Sequence, residues 1–155
     1  MSNFTIGAVQ PNLYNIGAVQ TSIIKLYTRG DEVSLPSDDT NLEVSFTTQD
    51  YTDVETEDGV RVSQSSTGDN SIFLFKNKNT SQESISITCN TRSDLAPLSS
   101  TVYLQIYNRT SLEWETLDSD NTTLANVDFD LTGTQTTNLS NYFDANFWVS
   151  CRVYQ

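Results

Sequence analysis

From Asn41 onward the apolar positions recur with period two, the spacing of a pleated strand with one buried face. "LEVSF" places Leu42, Val44 and Phe46 on one face, "VRV" turns Val60 and Val62 inward, and "SISITC" does the same with Ile85, Ile87 and Cys89. "SIFLF", 71–75, is apolar at four successive positions, which predicts a strand between neighbours with both faces covered. "TVYLQIY", 101–107, sets Val102, Leu104 and Ile106 against Tyr103, Gln105 and Tyr107, a core face and an aromatic surface face. The polar turn "NRTS", 108–111, then leads into "LEWETL", 112–117, so 101–117 predicts a hairpin. "VDFDL", 127–131, alternates again, and "WVSCRVY", 148–154, puts Val149, Cys151 and Val153 on one side. Between these two, "NLSNYFDANF" has room for one helical turn. No stretch of about 12 residues carries a helical period, so almost no α-helix is expected.

The stretches "SSTGDN", "NKNTSQ" and "DSDNTT" carry turn chemistry at the spacing of a sandwich or barrel. A chain of 155 residues is long enough for one sizeable core and too short for two. The body is therefore expected over 41–155, preceded by a strand and linker over 22–40. That linker holds the strand "SIIKLY", 22–27, and a polar connection containing Pro36. Ahead of it, 1–21 reads as an extended arm carrying a repeat: Ile6-Gly7-Ala8-Val9-Gln10 returns as Ile16-Gly17-Ala18-Val19-Gln20. Two geometries suit the repeat. Either Ile6, Val9, Ile16 and Val19 grip a partner by adding a strand to an exposed sheet edge, or the copies pair as a hairpin around "PNLYN" within the chain's own sheet.

Composition narrows the partners. With 8 Lys+Arg against 20 Asp+Glu the formal net charge is -12, which repels phosphate backbones and anionic membranes; neither nucleic acid nor a membrane is expected as a partner. Roughly a third of the chain is Ser, Thr and Asn, so hydroxyls and amides carry the solubility that charge usually supplies. No apolar stretch approaches the length of a bilayer span, and no basic segment followed by an apolar run suggests Sec export. Cys89 and Cys151 fall at apolar phases of strand-like runs, which suits two buried thiols as well as one disulfide.

The chain has no histidine. That removes Ser-His-Asp and Cys-His catalysis and most zinc sites, each of which needs an imidazole. A carboxylate pair for glycoside hydrolysis has no selected candidates, because Asp and Glu gather in turns such as "DYTDVETEDG", 50–59, which reads as a solvated acidic loop. Asp53, Glu55, Glu57 and Asp58 precede Gly59, but the glycine falls one position late for a calcium loop and the twelfth position is Gln64. No catalytic residue, metal site or cofactor is expected. Tyr103, Tyr107, Trp114 and Trp148 are candidates for a sugar platform, since a pyranose stacks on an aromatic ring; the two Trp residues suit the core equally well.

The second half carries a resemblance. Tyr107-Asn108 ending a strand, Trp114 to Leu117 after a turn, and a last strand from Trp148 to Tyr154 resemble the end of jelly-roll β-sandwiches of the galactose-binding or carbohydrate-binding-module kind. With the upstream "DYTDVETEDGVRV" and "SIFLFKNKNT", residues 41–155 also look like a group of uncharacterised tailed-phage proteins taken for virion components. The resemblance implies an all-β, jelly-roll-like antiparallel β-sandwich with an extended N-terminal arm. It implies a non-enzymatic virion protein, assembled in the host cytoplasm, that decorates or cements a capsid or sits on a tail or fibre. Its partners would be the major capsid or another virion protein, or further copies of itself. The alternative is a carbohydrate-binding module that recognises a surface glycan.

Overall fold

The strand that the sequence marks as apolar on both faces lies inside the wider of two sheets, and the rest of the architecture follows from how its faces are covered. The structure, a computed structural model, describes residues 2–11, 24–67 and 69–155. In chain order the strands are β1 (Ser2–Pro11), β2 (Ile24–Glu32), β3 (Val44–Ser45), β4 (Val62–Ser66), β5 (Asn70–Lys78), β6 (Ile85–Ser93), β7 (Val102–Asn108), β8 (Glu113–Asp120), β9 (Phe129–Gln135) and β10 (Trp148–Tyr154). One helix, α1 (Thr48–Asp53), and a 3-10 turn at Leu139–Asn141 complete the described elements. Six strands form one sheet in the order β3-β2-β5-β10-β7-β8, and four form the other in the order β4-β1-β6-β9.

All the pairings are antiparallel. From β4 to β10 the chain passes between the sheets at every connection except the β7–β8 hairpin. The core lies between the layers, built from Phe4, Ile6 and Val9 of β1, Ile87 and Cys89 of β6 and Leu131 of β9 against Tyr27, Phe73, Phe75, Leu104, Ile106 and Val153. Phe4 meets Phe73 edge-on across the layers with ring centroids 5.7 Å apart, the arrangement that ring quadrupoles favour.

β5, β6, β7, the 101–117 hairpin, the one-turn helix near 139 and the final strand all stand where the sequence pattern puts them. Four expectations are corrected. "LEVSF" is not one alternating strand: Phe46 enters the main core, Leu42 packs on the opposite face of the six-stranded sheet, and Val44 is exposed. Val60 is exposed while Val62 is buried, because β4 begins only at Val62. The strand expected over 127–131 begins at Phe129 and runs to Gln135, leaving Val127 in the loop and exposed. Part of the acidic loop is helix α1, started by a capping box in which Thr47 Oγ1 accepts from Asp50 N and Asp50 accepts from Thr47 N.

The largest correction concerns the N-terminus. Residues 2–11 are not an arm outside the body: β1 lies between β4 and β6, and Ile6 and Val9 are in the core at 0 and 2 % exposure. Apolar anchors suited to a partner's pocket suit the chain's own core for the same physical reason. Ile16 and Val19, with the second copy of the repeat, lie outside the described residues.

Cys89 and Cys151 are buried free thiols. Burial pushes Cys89 well up, with the neighbouring Cys151 adding to it, and pushes Cys151 up to about 12. The reactive thiolate is therefore disfavoured in the folded state. An aromatic disulfide reagent at pH 8 is expected to label neither thiol in the native protein and both in urea; fast labelling without denaturant would contradict this packing.

Candidate functional site

Alternation along β10 turns Val149, Cys151 and Val153 toward the core and Ser150, Arg152 and Tyr154 toward the opposite face of the six-stranded sheet. The antiparallel register sets Arg152 beside Gln105 and Tyr154 beside Tyr103 on β7, while Trp114 and Thr116 of β8 stand opposite Tyr107 and Gln105. Ile72 and Leu74 of β5 complete the face with Leu42.

The result is a row of rings with a cation inside it. The Arg152 guanidinium lies 4.2 Å from the centroid of Trp114 and 5.2 Å from that of Tyr154. Tyr154 in turn stacks on Tyr103 at 5.2 Å, and Trp114 leans on Tyr107 at 5.1 Å. Arg152 is 5 % exposed, and such a cation requires hydrogen-bond partners in place of water. Its Nε donates to Gln105 Oε1 at 2.9 Å and its Nη1 to the carbonyl of Pro36 at 2.7 Å; Gln105 is held in turn by Thr116 Oγ1 at 3.1 Å.

Pro36 belongs to the segment 33–43, which lies across this face as a strap. Arg109 fixes it a second time: Nη2 donates to Asp39 Oδ2 at 2.9 Å and to Ser150 Oγ at 3.1 Å, with Ser150 Oγ itself on Asp39 at 2.5 Å. Leu42 N donates to Thr28 Oγ1 at 3.0 Å. Beneath the strap is a cavity of about 10 Å³ lined by Pro36, Asp38, Leu42, Leu74, Trp114 and Arg152 among others. Trp114 Nε1 is buried without a hydrogen-bond partner among the described residues.

The structure thus brings together three of the four aromatic residues singled out for sugar stacking and separates the fourth. Tyr107 is buried; Trp114 is half-buried, between Arg152 and Tyr107. Tyr103 is half-buried against Tyr154. Trp148 stands at the other end of β10 beside Lys78, with its backbone N–H on Asp144. Arg152, Arg109, Gln105, Asp39 and Tyr154, which hold the face together, were not singled out. The signal for three of them was the polar phase of "WVSCRVY" and "TVYLQIY", read only as the reverse of the core face.

Three of the four carboxylates considered for calcium accept hydrogen bonds within the fold. Asp53 accepts from Gln49, Asp58 from Val60 N and Glu57 from Asn90. In the turn "DSDNTT", Asp118 accepts from Thr132 N and Asp120 from the amides of Thr122 and Thr123. Among the described residues no three His, Cys, Asp or Glu side chains gather where they could hold a metal ion.

Tyr142 in the core, and Tyr107, Tyr154 and Arg152 on the face, titrate in the alkaline range. Burial, joined by the hydrogen bond that Tyr142 donates to Glu115 Oε2 at 2.7 Å, pushes Tyr142 up to about 12. Burial also raises Tyr107, with Asp39 adding to it, and Tyr154 against the pull of Arg152. Burial lowers Arg152 to about 10. A tyrosine raised on folding contributes stability that is fully present below its unfolded value, near 10, and is lost as the pH rises through the folded one. A lowered Arg152 works in the opposite sense. The stability that wild type gains over Tyr142→Phe is therefore expected to shrink between pH 10 and pH 12, read as converging urea midpoints; parallel profiles would contradict the assignment. Arg152→Ala is expected to cost about 2–4 kcal/mol and to open the strap to limited proteolysis within 33–43. Cleavage elsewhere only would separate the strap from Arg152.

No curated protein and no solved structure matches this chain. A family profile does: residues 23–155 match AF_1625_C, described as "Uncharacterized protein, C-terminal domain". The matched span holds every element from β2 to β10 and starts after β1. The chain belongs to this family.

Proposed function

We propose that this chain is a non-enzymatic structural protein that docks end-on to a protein surface, as a capsid decoration or cement protein of a phage virion does. The observation that carries the reading is a group of exposed apolar side chains on two neighbouring loops. Leu95, Leu98, Leu124 and Val127 are 40 to 62 % exposed, and all four stand on two loops joined by backbone hydrogen bonds, Leu98 N to Thr123 O at 3.2 Å and Asn126 N to Ser93 O at 2.7 Å. Exposed apolar groups gathered in one place are the usual mark of a protein contact. The alternation of strands between the sheets supports the jelly-roll-like kinship, and the hydroxyl-rich acidic shell suits an outward-facing body.

Because β1 is a core strand, deleting the whole of 2–21 leaves the space between β4 and β6 unfilled, so that deletion does not test attachment alone. Surface substitutions test it instead. Leu98→Ser with Leu124→Ser is expected to leave the melting temperature within a few degrees of wild type and to abolish co-sedimentation with virion particles. Retained co-sedimentation would reject this end as the docking surface. Glycan recognition keeps one foothold, the half-buried Tyr103–Tyr154 pair. Sedimentation of the protein with polysaccharide, lost in Tyr103→Ala, would favour that reading over capsid docking.

A further inference from the structure

The strand β1 fills a slot between β4 and β6, and the slot makes stringent demands on the sequence that enters it. The first position must be a large apolar ring: Phe4 is fully buried against Phe73. Ile6 is fully buried two residues on. The next position is crowded, since a Cβ on Gly7 would lie 2.9 Å from Arg61 Nη1 and 3.0 Å from Asn90 Oδ1, and both side chains would have to shift to admit it. The register then shifts between Ile6 and Val9, with Ala8 and Val9 both buried and Val9 N donating to Val54 O at 2.9 Å. Aromatic, any residue, Ile, Gly, Ala, Val is the resulting specification.

Residues 14–19 meet every element of it: Tyr14, Asn15, Ile16, Gly17, Ala18, Val19. The repeat is therefore longer than its five identical residues, and what is repeated coincides with what the slot holds, including the glycine that leaves room for Arg61 and Asn90. We propose that the β4/β6 slot has two occupants within one chain, and that residues 14–20 replace 4–10 by a ten-residue slip of the N-terminal segment. The slip discharges the first copy from the end of the slot where Asn3 N donates to Asp94 Oδ1. That is beside the loop bearing Leu95 and Leu98, and the discharged segment bears an identical sheet-adding sequence. Whatever the body docks onto, this gives the chain a strand to donate without losing its own.

Two features weight the exchange toward the first copy. Tyr14 brings a hydroxyl into a site where Phe4 has no exposure, and a buried hydroxyl without a partner is costly. In addition, Thr21 takes the place of Pro11, so only Ser22 and Ile23 remain before β2. Three Cα steps reach about 11 Å against about 10 Å between packed sheets. A link of that reach would be taut in the slipped state, which makes it the minor one.

The experiment introduces a charge into each copy of the full chain. A carboxylate cannot stay at Ile6, so Ile6→Asp expels the first copy. The folded-to-unfolded ratio is expected to fall by about tenfold to a hundredfold, while peptide-level hydrogen exchange shows protection moving from 4–10 to 14–20. Ile16→Asp alone is expected to change neither, and the double variant to lose the fold. Deletion of 2–11 supplies the second line: the protein folds while Ile16 is intact and fails once Ile16→Asp is added. The proposal is overturned if Ile6→Asp is as unstable as the double variant, or if 14–20 gains no protection. It is equally overturned if light scattering shows that Ile6→Asp folds only as an oligomer, which would place the second copy in a neighbour's slot.

Discussion

Arg152 is the group around which the outer layer of this molecule is organised. A guanidinium taken almost wholly out of water must have its donors met and its charge spread. Here its described hydrogen bonds go to the neutral oxygens Gln105 Oε1 and Pro36 O, and two rings lie against the charge. Each of these partners fixes something further. Pro36 places the strap, Gln105 ties β7 to β8 through Thr116, and Trp114 brings β8's aromatic face down on the centre of the sheet. The strap and the rings cover Ile72 and Leu74, and that cover permits β5 to be apolar on both faces. A central strand of such composition is stable only with both sides dry.

Much of this was legible in the chain. Period two in 85–89, 101–107 and 148–154, and the run 71–75, identify the four strands at the heart of the two sheets, because burial on a pleat imposes that period directly. What escaped reading has a common cause. In 41–46 neighbouring apolar residues serve different cores, Leu42 covering the outside of the sheet while Phe46 enters between the layers, and in 58–62 Val60 stays exposed in the loop while Val62 enters the core. Alternation within such a stretch has no single face to report. The candidate face was half legible for a related reason. Its aromatic residues could be picked out, but their partner was an arginine, a residue that sequence reading assigns to solvent.

The N-terminal segment joins these matters to the family relationship. The matched span begins at residue 23, yet within the four-stranded sheet β4 and β6 are separated by the width of one strand, and β1 fills it. The family domain as it occurs in this chain is therefore completed from outside the matched span. The doubled segment is best understood as a property of that completion: an element added to a core must satisfy the core's sterics, here the full burial of Phe4 and Ile6 and the close approach of Gly7 to Arg61 and Asn90.

At the opposite flank of the same sheet the two layers close on one another. A Cβ on Gly133 of β9 would lie 2.6 Å from Leu117 of β8, and the carboxylate of Asp118 accepts from the amide of Thr132 at 2.8 Å. β9 is a terminal strand of its sheet, and a terminal strand ordinarily offers its free amides as a template for unrelated chains. Here a negative charge occupies one of those amides and a neighbouring layer presses on the strand. Templated growth into fibrils is thus resisted at β9, in a protein that remains open to strand exchange at β1.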